Sequence, residues 1–417
     1  MFSRISFLAS IIFSLSLTIG CGGEFDVNQS PSRVLEGEPV EVEIIATSPF
    51  RYSFDFLDVT PNPGFIFNFD GNEATATLEF IADPNIEYTA EAILKRGSTI
   101  ENVAEPLNIK YLYRYNEVAS YGQGLHIRLP SKAPSAEGYP TIIFIHGGAW
   151  NSESYTYFKT HWYDATRRGY AVIAIDYRLT NAHNKYNDVT AEDVRWPAQV
   201  QDTRCVLNWV AENADKFKLN VDQVAAVGYS AGGQMALMMG LVDSADHHDK
   251  FNAPCSYNKD IPELKAVSVF SAPWDLAYTY NSTSNKTTVK AGIEDLLNMD
   301  PAADNFNADQ FNQLLQEASP IEYFDENTAL PILAFHGYWD TWVRIENHNE
   351  IFQEQLDQLH PDGDYPYHLV IAQNNYHEMK NIYNWGRVQY LNFFDRHVKG
   401  DTSAPEVTCT SYPACEE

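Results

Sequence analysis

Residues 224–237 read Val-Ala-Ala-Val-Gly-Tyr-Ser-Ala-Gly-Gly-Gln-Met-Ala-Leu, and this stretch decides the fold. Four apolar residues, Val224 to Val227, end at Gly228-Tyr229-Ser230-Ala231-Gly232, and an apolar run to Val242 then has the composition and length of a helix. A short buried strand entering a helix through a turn of small residues is the context required for a G-x-S-x-G nucleophile elbow. Gly228 and Gly232 have no Cβ atoms to crowd the reversal. Ser230 is thereby expected at the top of the turn, over a helix N-terminus. Taken alone, the pattern also fits a glycine-rich turn, so the reading depends on what the rest of the chain supplies.

The chain has 417 residues, which suggests two domains or one large domain with an appendage. With 44% hydrophobic and 13% aromatic residues it has the composition of a folded protein. Fifty-six acidic side chains against 28 basic ones give a formal charge of −28. A field of that sign disfavours nucleic acid and anionic bilayer surfaces as partners, and it favours solubility.

Arg4 and the apolar run Ile5 to Ile19 have the length and order of a secretory signal, residues 1–20, and are too short for a membrane span. The run ends Leu17-Thr18-Ile19-Gly20-Cys21, which resembles a bacterial lipoprotein signal, although Thr18 stands where that pattern usually has Leu. The resemblance implies lipidation of Cys21, a tether over 21–38 and anchoring at the outer membrane; cleavage and secretion is the alternative. Cys205, Cys255, Cys409 and Cys415 remain, an even number in an exported chain. Cys205 with Cys255 and Cys409 with Cys415 are plausible pairs among the three connectivities possible.

From 39 to 115 the pattern is one of short alternating or β-branched stretches, among them Val40–Ile45, Tyr52–Phe56, Ala74–Phe80 and Tyr88–Leu94, separated by turn-forming residues. It suggests a small immunoglobulin-like β-sandwich that acts as a spacer. Over 116–400, strand and helix alternate. Thr141–Ile145, Ala171–Ile175, Val224–Val227, Ala266–Phe270, Pro331–Phe335 and His368–Ala372 read as strands. Helical stretches lie between them, which requires a largely parallel sheet covered on both faces. An Asn-rich interruption over 275–327, with helices near 288–298 and 307–317, falls at the carboxyl edge of such a sheet and reads as a partial lid. Residues 401–417 read as a disulfide-containing tail.

A serine hydroxyl is a poor nucleophile until a base accepts its proton. His377 follows the last strand and a short polar loop, which places it at the sheet edge expected for Ser230. Asp340, just beyond the strand 331–335, can orient and stabilise the imidazole; Asp275 is its rival, with Asp364 and Glu378 behind. Backbone N–H groups of Ala231, Gly147 and Gly148 can meet the developing oxyanion. His336 reads as an orienting residue. His247 and His248, among Asp243, Asp246 and Asp249, lack the spacing of a metal site.

Together His146-Gly147-Gly148-Ala149-Trp150, Asp176-Tyr177-Arg178-Leu179, Trp196-Pro197-Ala198-Gln199, Gly228–Gly233, His336–Asp340 and Tyr376-His377-Glu378 resemble an α/β-hydrolase of the carboxylesterase and lipase group that includes the hormone-sensitive-lipase-like enzymes, over about 116–399. Ala149 departs from the usual His-Gly-Gly-Gly form. The resemblance implies an α/β-hydrolase fold and a Ser230-His377-Asp340 triad. It also implies an oxyanion-loop support role for His146. No cofactor or metal is expected. Trp150, Tyr155, Tyr229, Trp274, Tyr278, Trp339, Trp342 and Tyr376 are expected to wall a substrate pocket, which tilts the expectation toward aromatic or carbohydrate-linked esters. A serine peptidase and an inactive glycan-binding scaffold are the rival readings.

Overall fold

The computed structural model describes side chains from Leu112 onward, except at 117–122, 181–193, 243–250, 252–254, 283–287, 326–327, 347–355, 360–366, 379–383 and 415–417; before Leu112 it describes the backbone of strands alone. The chain divides into units Met1–Tyr113 and Arg114–Glu417.

In the first unit the strands Phe13–Ile19, Gly23–Ser30, Pro39–Thr47, Glu73–Ile81 and Asn68–Asp70 neighbour one another in that order, in antiparallel pairs. Ser53–Thr60, Thr89–Arg96 and Thr99–Pro106 form a second antiparallel sheet. The expected strands 40–45, 74–80 and most of 52–56 lie within these spans. Cys21, the leader residues 1–12 and the side-chain packing that would define an immunoglobulin-like sandwich lie outside the described residues.

The second unit is built on β1 (Gly124–Arg128), β2 (Tyr139–Ile145), α1 (Lys159–Arg167), β3 (Ala171–Ile175), α2 (Ala198–Glu212), β4 (Leu219–Tyr229), α3 (Ala231–Leu241) and β5 (Leu264–Phe270). It continues through α4 (Leu276–Ser282), α5 (Thr287–Leu297), α6 (Ala308–Glu317), β6 (Ile332–Gly337), α7 (Gln353–Leu359), β7 (Tyr367–Ala372), α8 (Tyr383–His397) and β8 (Ser411–Tyr412). Its strands lie in the order β8-β7-β6-β5-β4-β2-β3-β1. All neighbours are parallel except β1, which runs antiparallel to β3.

Central strands read as unbroken apolar runs because both faces are covered. Every residue of β3 and β6 is buried. Helix α3 is buried along Ala231–Met239, so its sequence is apolar all round instead of amphipathic. The chain passes from β2 to β3 on one side and later to β4 on the other. That reversal opens a crevice at the carboxyl ends of β2 and β4, where open α/β sheets bind ligands.

Three features departed from the sequence expectation. Strand β4 begins at Leu219, because Leu219 pairs with Tyr139 before the apolar run starts. Helix α4 forms within a segment read as polar loop, its first turn closed by the Asp275 carboxylate accepting from the Tyr278 N–H at 2.8 Å. The tail adds a strand: Ser411 and Tyr412 pair with Ile371 and Ala372. Cys205 and Cys255 form the expected disulfide, with Cα atoms 5.3 Å apart. Cys409 is disulfide-bonded as well, and Cys415 lies outside the described residues.

His161 on α1 is fully buried, its ring stacked with Tyr390 and its Nδ1 3.0 Å from the Tyr390 hydroxyl. Burial first, then the Arg387 charge, lowers its pKa from 6.5 to about 3. The unfolded chain therefore binds this proton more readily. Stability is fully present above pH 6.5 and lost as pH falls from 6.5 toward 3, by at most about 1.4 kcal/mol per unit from this group. Urea unfolding between pH 7.5 and 5 should show the midpoint falling with acid, with a smaller slope in His161→Phe. An equal slope in the variant would rule out this histidine as the source.

Candidate active site

Ser230 follows β4 directly and is the residue before α3, with φ 52° and ψ −122°, a left-handed backbone that costs energy for a side chain bearing a Cβ. The surroundings fix it there. The Ser230 N–H donates to the Phe270 carbonyl at 2.8 Å, and the Gln234 N–H donates to the Ser230 carbonyl at 3.1 Å. Gly232 is required by close approach, since a Cβ there would collide with the carbonyl oxygens of Ile145 and His146 at the end of β2. The same contact brings the loop after β2 beside Ser230.

His377 lies beyond β7, with its Nε2 2.9 Å from the Ser230 Oγ and its Nδ1 2.7 Å from the Asp340 Oδ2. Its backbone is held as well: the Tyr229 and Ser271 hydroxyls both donate to the His377 carbonyl, at 2.9 and 3.1 Å. Asp340 follows β6 and is buried. Its Oδ1 accepts the Trp342 and Val343 N–H groups at 2.8 and 2.9 Å, which aims Oδ2 at the imidazole. His336 Nε2 is 2.7 Å from the Val343 carbonyl and 3.4 Å from the Asp340 Oδ2, which is the orienting position expected of it.

Burial alone would push the Asp340 carboxyl up. The charge of His377 and hydrogen bonds from His336 and His377 outweigh it and hold the group well below the usual carboxylate range. Asp275, the rival acid, caps α4 instead, and Glu378 is exposed. Asp364 and the 243–249 cluster lie outside the described residues. No group of three or more His, Cys, Asp or Glu side chains able to hold a metal ion occurs among the described residues.

The loop after β2 is fixed from one side by Tyr177, which follows β3. Its hydroxyl lies 3.1 Å from the His146 carbonyl and 2.9 Å from the Gly147 carbonyl, and its ring stacks on His146 at 4.2 Å. A trans peptide directs its C=O and N–H oppositely. Holding these two carbonyls therefore turns the Gly147 and Gly148 N–H groups to the other side. Ala149 and Trp150 follow with positive φ of 48° and 58°. The Trp150 indole donates to the Gln234 Oε1 at 3.1 Å, and Gln234 donates to the Ala318 carbonyl at 2.8 Å, joining this loop to α3 and to the end of the 275–327 insertion. Helix α5 packs on the same loop: a Cβ on Gly292 would lie 2.9 Å from the Ala149 Cβ. Tyr177 carried no assigned role in the sequence reading. The sequence marks it only as part of the Asp176-Tyr177-Arg178-Leu179 stretch at a strand end, because a phenol that bonds two carbonyls thirty residues away leaves no local pattern of its own.

The expected pocket aromatics divide by position. Trp342 stacks on the His377 ring at 5.0 Å. Trp339 and Tyr376, next to Asp340 and His377 in sequence, are exposed, and Tyr278 is half-buried. The other four serve packing. Trp150 is buried on Gln234, and Tyr155 lies against His126 and Trp162, which stack on each other at 5.0 Å. Tyr229 stacks on Tyr157 while it holds the His377 carbonyl, and Trp274 is fully buried against Tyr367.

A hydroxyl, an imidazole and a carboxylate in this chain can move a proton from Ser230 to His377, beside N–H groups able to face an oxyanion. Esterase LipC of Mycobacterium tuberculosis is 28% identical over 212 residues, covering 50% of this chain and 46% of the relative. An acetyl esterase of Salmonella typhi is 29% identical over 115 residues, 27% of this chain and 32% of that protein. The chain thus spans less than half the length of these curated relatives. Among solved structures, a truncated carbohydrate esterase from gut microbiota superposes with a TM-score of 0.54 at 20% identity, over 69% of this chain and 95% of that one. An esterase of Thermogutta terrifontis superposes with a TM-score of 0.52 at 20% identity, over 71% and 96%. These likenesses establish the α/β-hydrolase fold. The BD-FAE family model matches residues 125–356, more than half of the chain, and the chain belongs to the BD-FAE family.

Proposed function

We propose that this chain is a serine carboxylesterase that cleaves short-chain, aromatic or carbohydrate-linked esters of acetyl or feruloyl type. The observation that carries the reading is the continuous hydrogen-bond chain from Ser230 through His377 to Asp340. His377 Nε2 accepts the Ser230 proton as Oγ attacks the ester carbonyl. The tetrahedral oxyanion is met by the N–H groups of Gly147, Gly148 and Ala231. As the intermediate collapses, the alcohol leaves with the proton from His377, and the acyl group stays on Oγ. Water then gives its proton to the same imidazole as it attacks the acyl-enzyme, and His377 returns that proton to the Ser230 Oγ as the acyl bond breaks and the acid leaves.

The leader pattern supports export, with Cys21 as a lipidated mature N-terminus at the outer membrane and the β-rich first unit as a spacer. The mature N-terminal mass tests this directly: a diacylglycerol-modified Cys21 is the expected result. An unmodified terminus elsewhere contradicts it.

The esterase reading is tested with p-nitrophenyl acetate, acetylated xylan and methyl ferulate set against proline p-nitroanilide peptides. Hydrolysis of esters without cleavage of the anilides is expected. The reverse preference would assign the site to a peptidase.

Tyr177 supports catalysis only through the loop it holds. Tyr177→Phe keeps the ring and removes the hydroxyl, so kcat should fall by roughly 10- to 100-fold, less than loss of an oxyanion donor itself, with KM within about twofold. A purely structural role would lower thermal stability and leave kcat of the folded protein unchanged.

A further inference from the structure

Exposed large hydrophobic side chains are few among the described residues, and three of the seven lie on two neighbouring loops: Tyr338, Trp339 and Tyr376 at 46%, 52% and 63% exposure. Of the eight tryptophans in the chain, Trp339 alone is exposed. The two loops that carry these residues are joined. The Tyr338 N–H donates to the Ala372 carbonyl at 3.0 Å and the Trp339 N–H to the Asn375 carbonyl at 2.9 Å, while Gly337 lies against the carbonyls of Asn375 and Tyr376. Tyr338 and Trp339 meet edge to face at 5.0 Å. Asp340 and His377 are the next residues along each loop. Large aromatic surface left in water beside a reactive centre marks a binding site more than a packing feature.

The chemistry of the proposed reaction gives this cluster a side. The acyl oxygen must face Gly147, Gly148 and Ala231, whereas the departing alcohol must lie where His377 can return the proton to it. The aromatic rim belongs to the loops of His377 and Asp340, so it flanks the alcohol half of the ester. Flat, partly exposed Tyr and Trp rings suit the apolar faces of pyranose rings, whose hydroxyl edges can stay in water. The −28 charge of the chain disfavours a polyanionic glycan.

We infer that Tyr338, Trp339 and Tyr376 form a sugar-stacking subsite for the alcohol portion of the substrate, a neutral oligo- or polysaccharide carrying the ester. This rests on the esterase reading for its orientation, but the subsite can be tested without turnover. Xylohexaose and mannohexaose are titrated calorimetrically into the Ser230→Ala protein, full chain, with and without Trp339→Ala or Tyr376→Ala. Binding of at least one hexasaccharide, weakened tenfold or more by either aromatic substitution and largely kept by Trp339→Phe, is expected. Tyr163→Ala removes an exposed aromatic on α1 and should leave binding intact.

In the Ser230-containing protein, Trp339→Ala should lower kcat/KM for acetylated xylo-oligosaccharide relative to p-nitrophenyl acetate by tenfold or more, through KM. Absence of hexasaccharide binding overturns the subsite even if ester hydrolysis stands. A loss confined to methyl ferulate would move the cluster to the acyl side and also overturn it. An equal loss on every ester would reduce the aromatics to support for the triad. If no ester is hydrolysed but the titration behaves as expected, the esterase reading fails and the sugar subsite survives.

Discussion

Ser230→Ala should abolish ester hydrolysis, with kcat falling on the order of 10⁴- to 10⁶-fold and KM changing little. The hydroxyl is the only part removed. Ser230 is held by its backbone, through Phe270 and Gln234, and its left-handed conformation does not depend on Oγ. The substitution therefore leaves the elbow, the glycine contact beneath it and the oxyanion donors in place. What remains is the slow attack of water on an ester that is bound and polarised, which accounts for a residual rate above background. Retention of more than about a hundredth of the parental kcat in protein purified free of host esterase would mean that Ser230 is not the nucleophile, since that exceeds the residue expected when a triad nucleophile is removed.

Asp340→Asn should lower kcat by about 10⁴-fold without loosening the fold. The amide oxygen can go on accepting the Trp342 and Val343 N–H groups that now bond Oδ1. Its amide nitrogen then faces the His377 Nδ1, 2.7 Å from Oδ2 in the parent. A donor at that position selects the tautomer protonated at Nε2, which cannot accept the Ser230 proton. The charge that stabilises the imidazolium is also gone. Near-parental thermal stability together with the large loss of kcat separates this from unfolding. A loss below tenfold would show that another group orients His377. His336 neighbours Asp340 and is not placed to replace it, because its Nε2 points at the Val343 carbonyl and the Asp340 carboxylate.

The parts of the site that the sequence displayed are those whose signals are local. The run Val224–Val227 before Gly228-Tyr229-Ser230 reports a buried strand by composition alone, and the alternation of strand and helix through most of the domain then limits where the carboxyl ends of β2, β4, β6 and β7 can lie. His377 and Asp340 follow from their places after those strands. The 288–298 and 307–317 helices likewise carried their own periodicity, and α5 and α6 match them within a residue.

Other features depend on partners distant in the chain and left no such trace. The Tyr177 hydroxyl matters because β3 lies beside β2. Tyr229 and Trp274 look like pocket aromatics from their positions at strand ends, yet one is turned under His377 and the other into the core. The β8 strand has two residues, too few to show a period, and is fixed by an edge of β7 with hydrogen bonds to offer: the Ile371 N–H donates to Thr410 and the Gln373 N–H to Tyr412, both at 2.9 Å. Helix α4 hides in an Asn-rich stretch because its stability comes from the Asp275 cap and packing, not from propensity.

The central claim is that Ser230 is an activated nucleophile, and covalent capture tests it with the fewest intermediate assumptions. Folded protein is treated with a fluorophosphonate, and the modified peptide is located by mass spectrometry. The account predicts one adduct per chain, on the peptide containing Ser230, abolished by heat denaturation before treatment and strongly reduced in Asp340→Asn. An unmodified Ser230 in folded protein, or labelling confined to another residue, would contradict it.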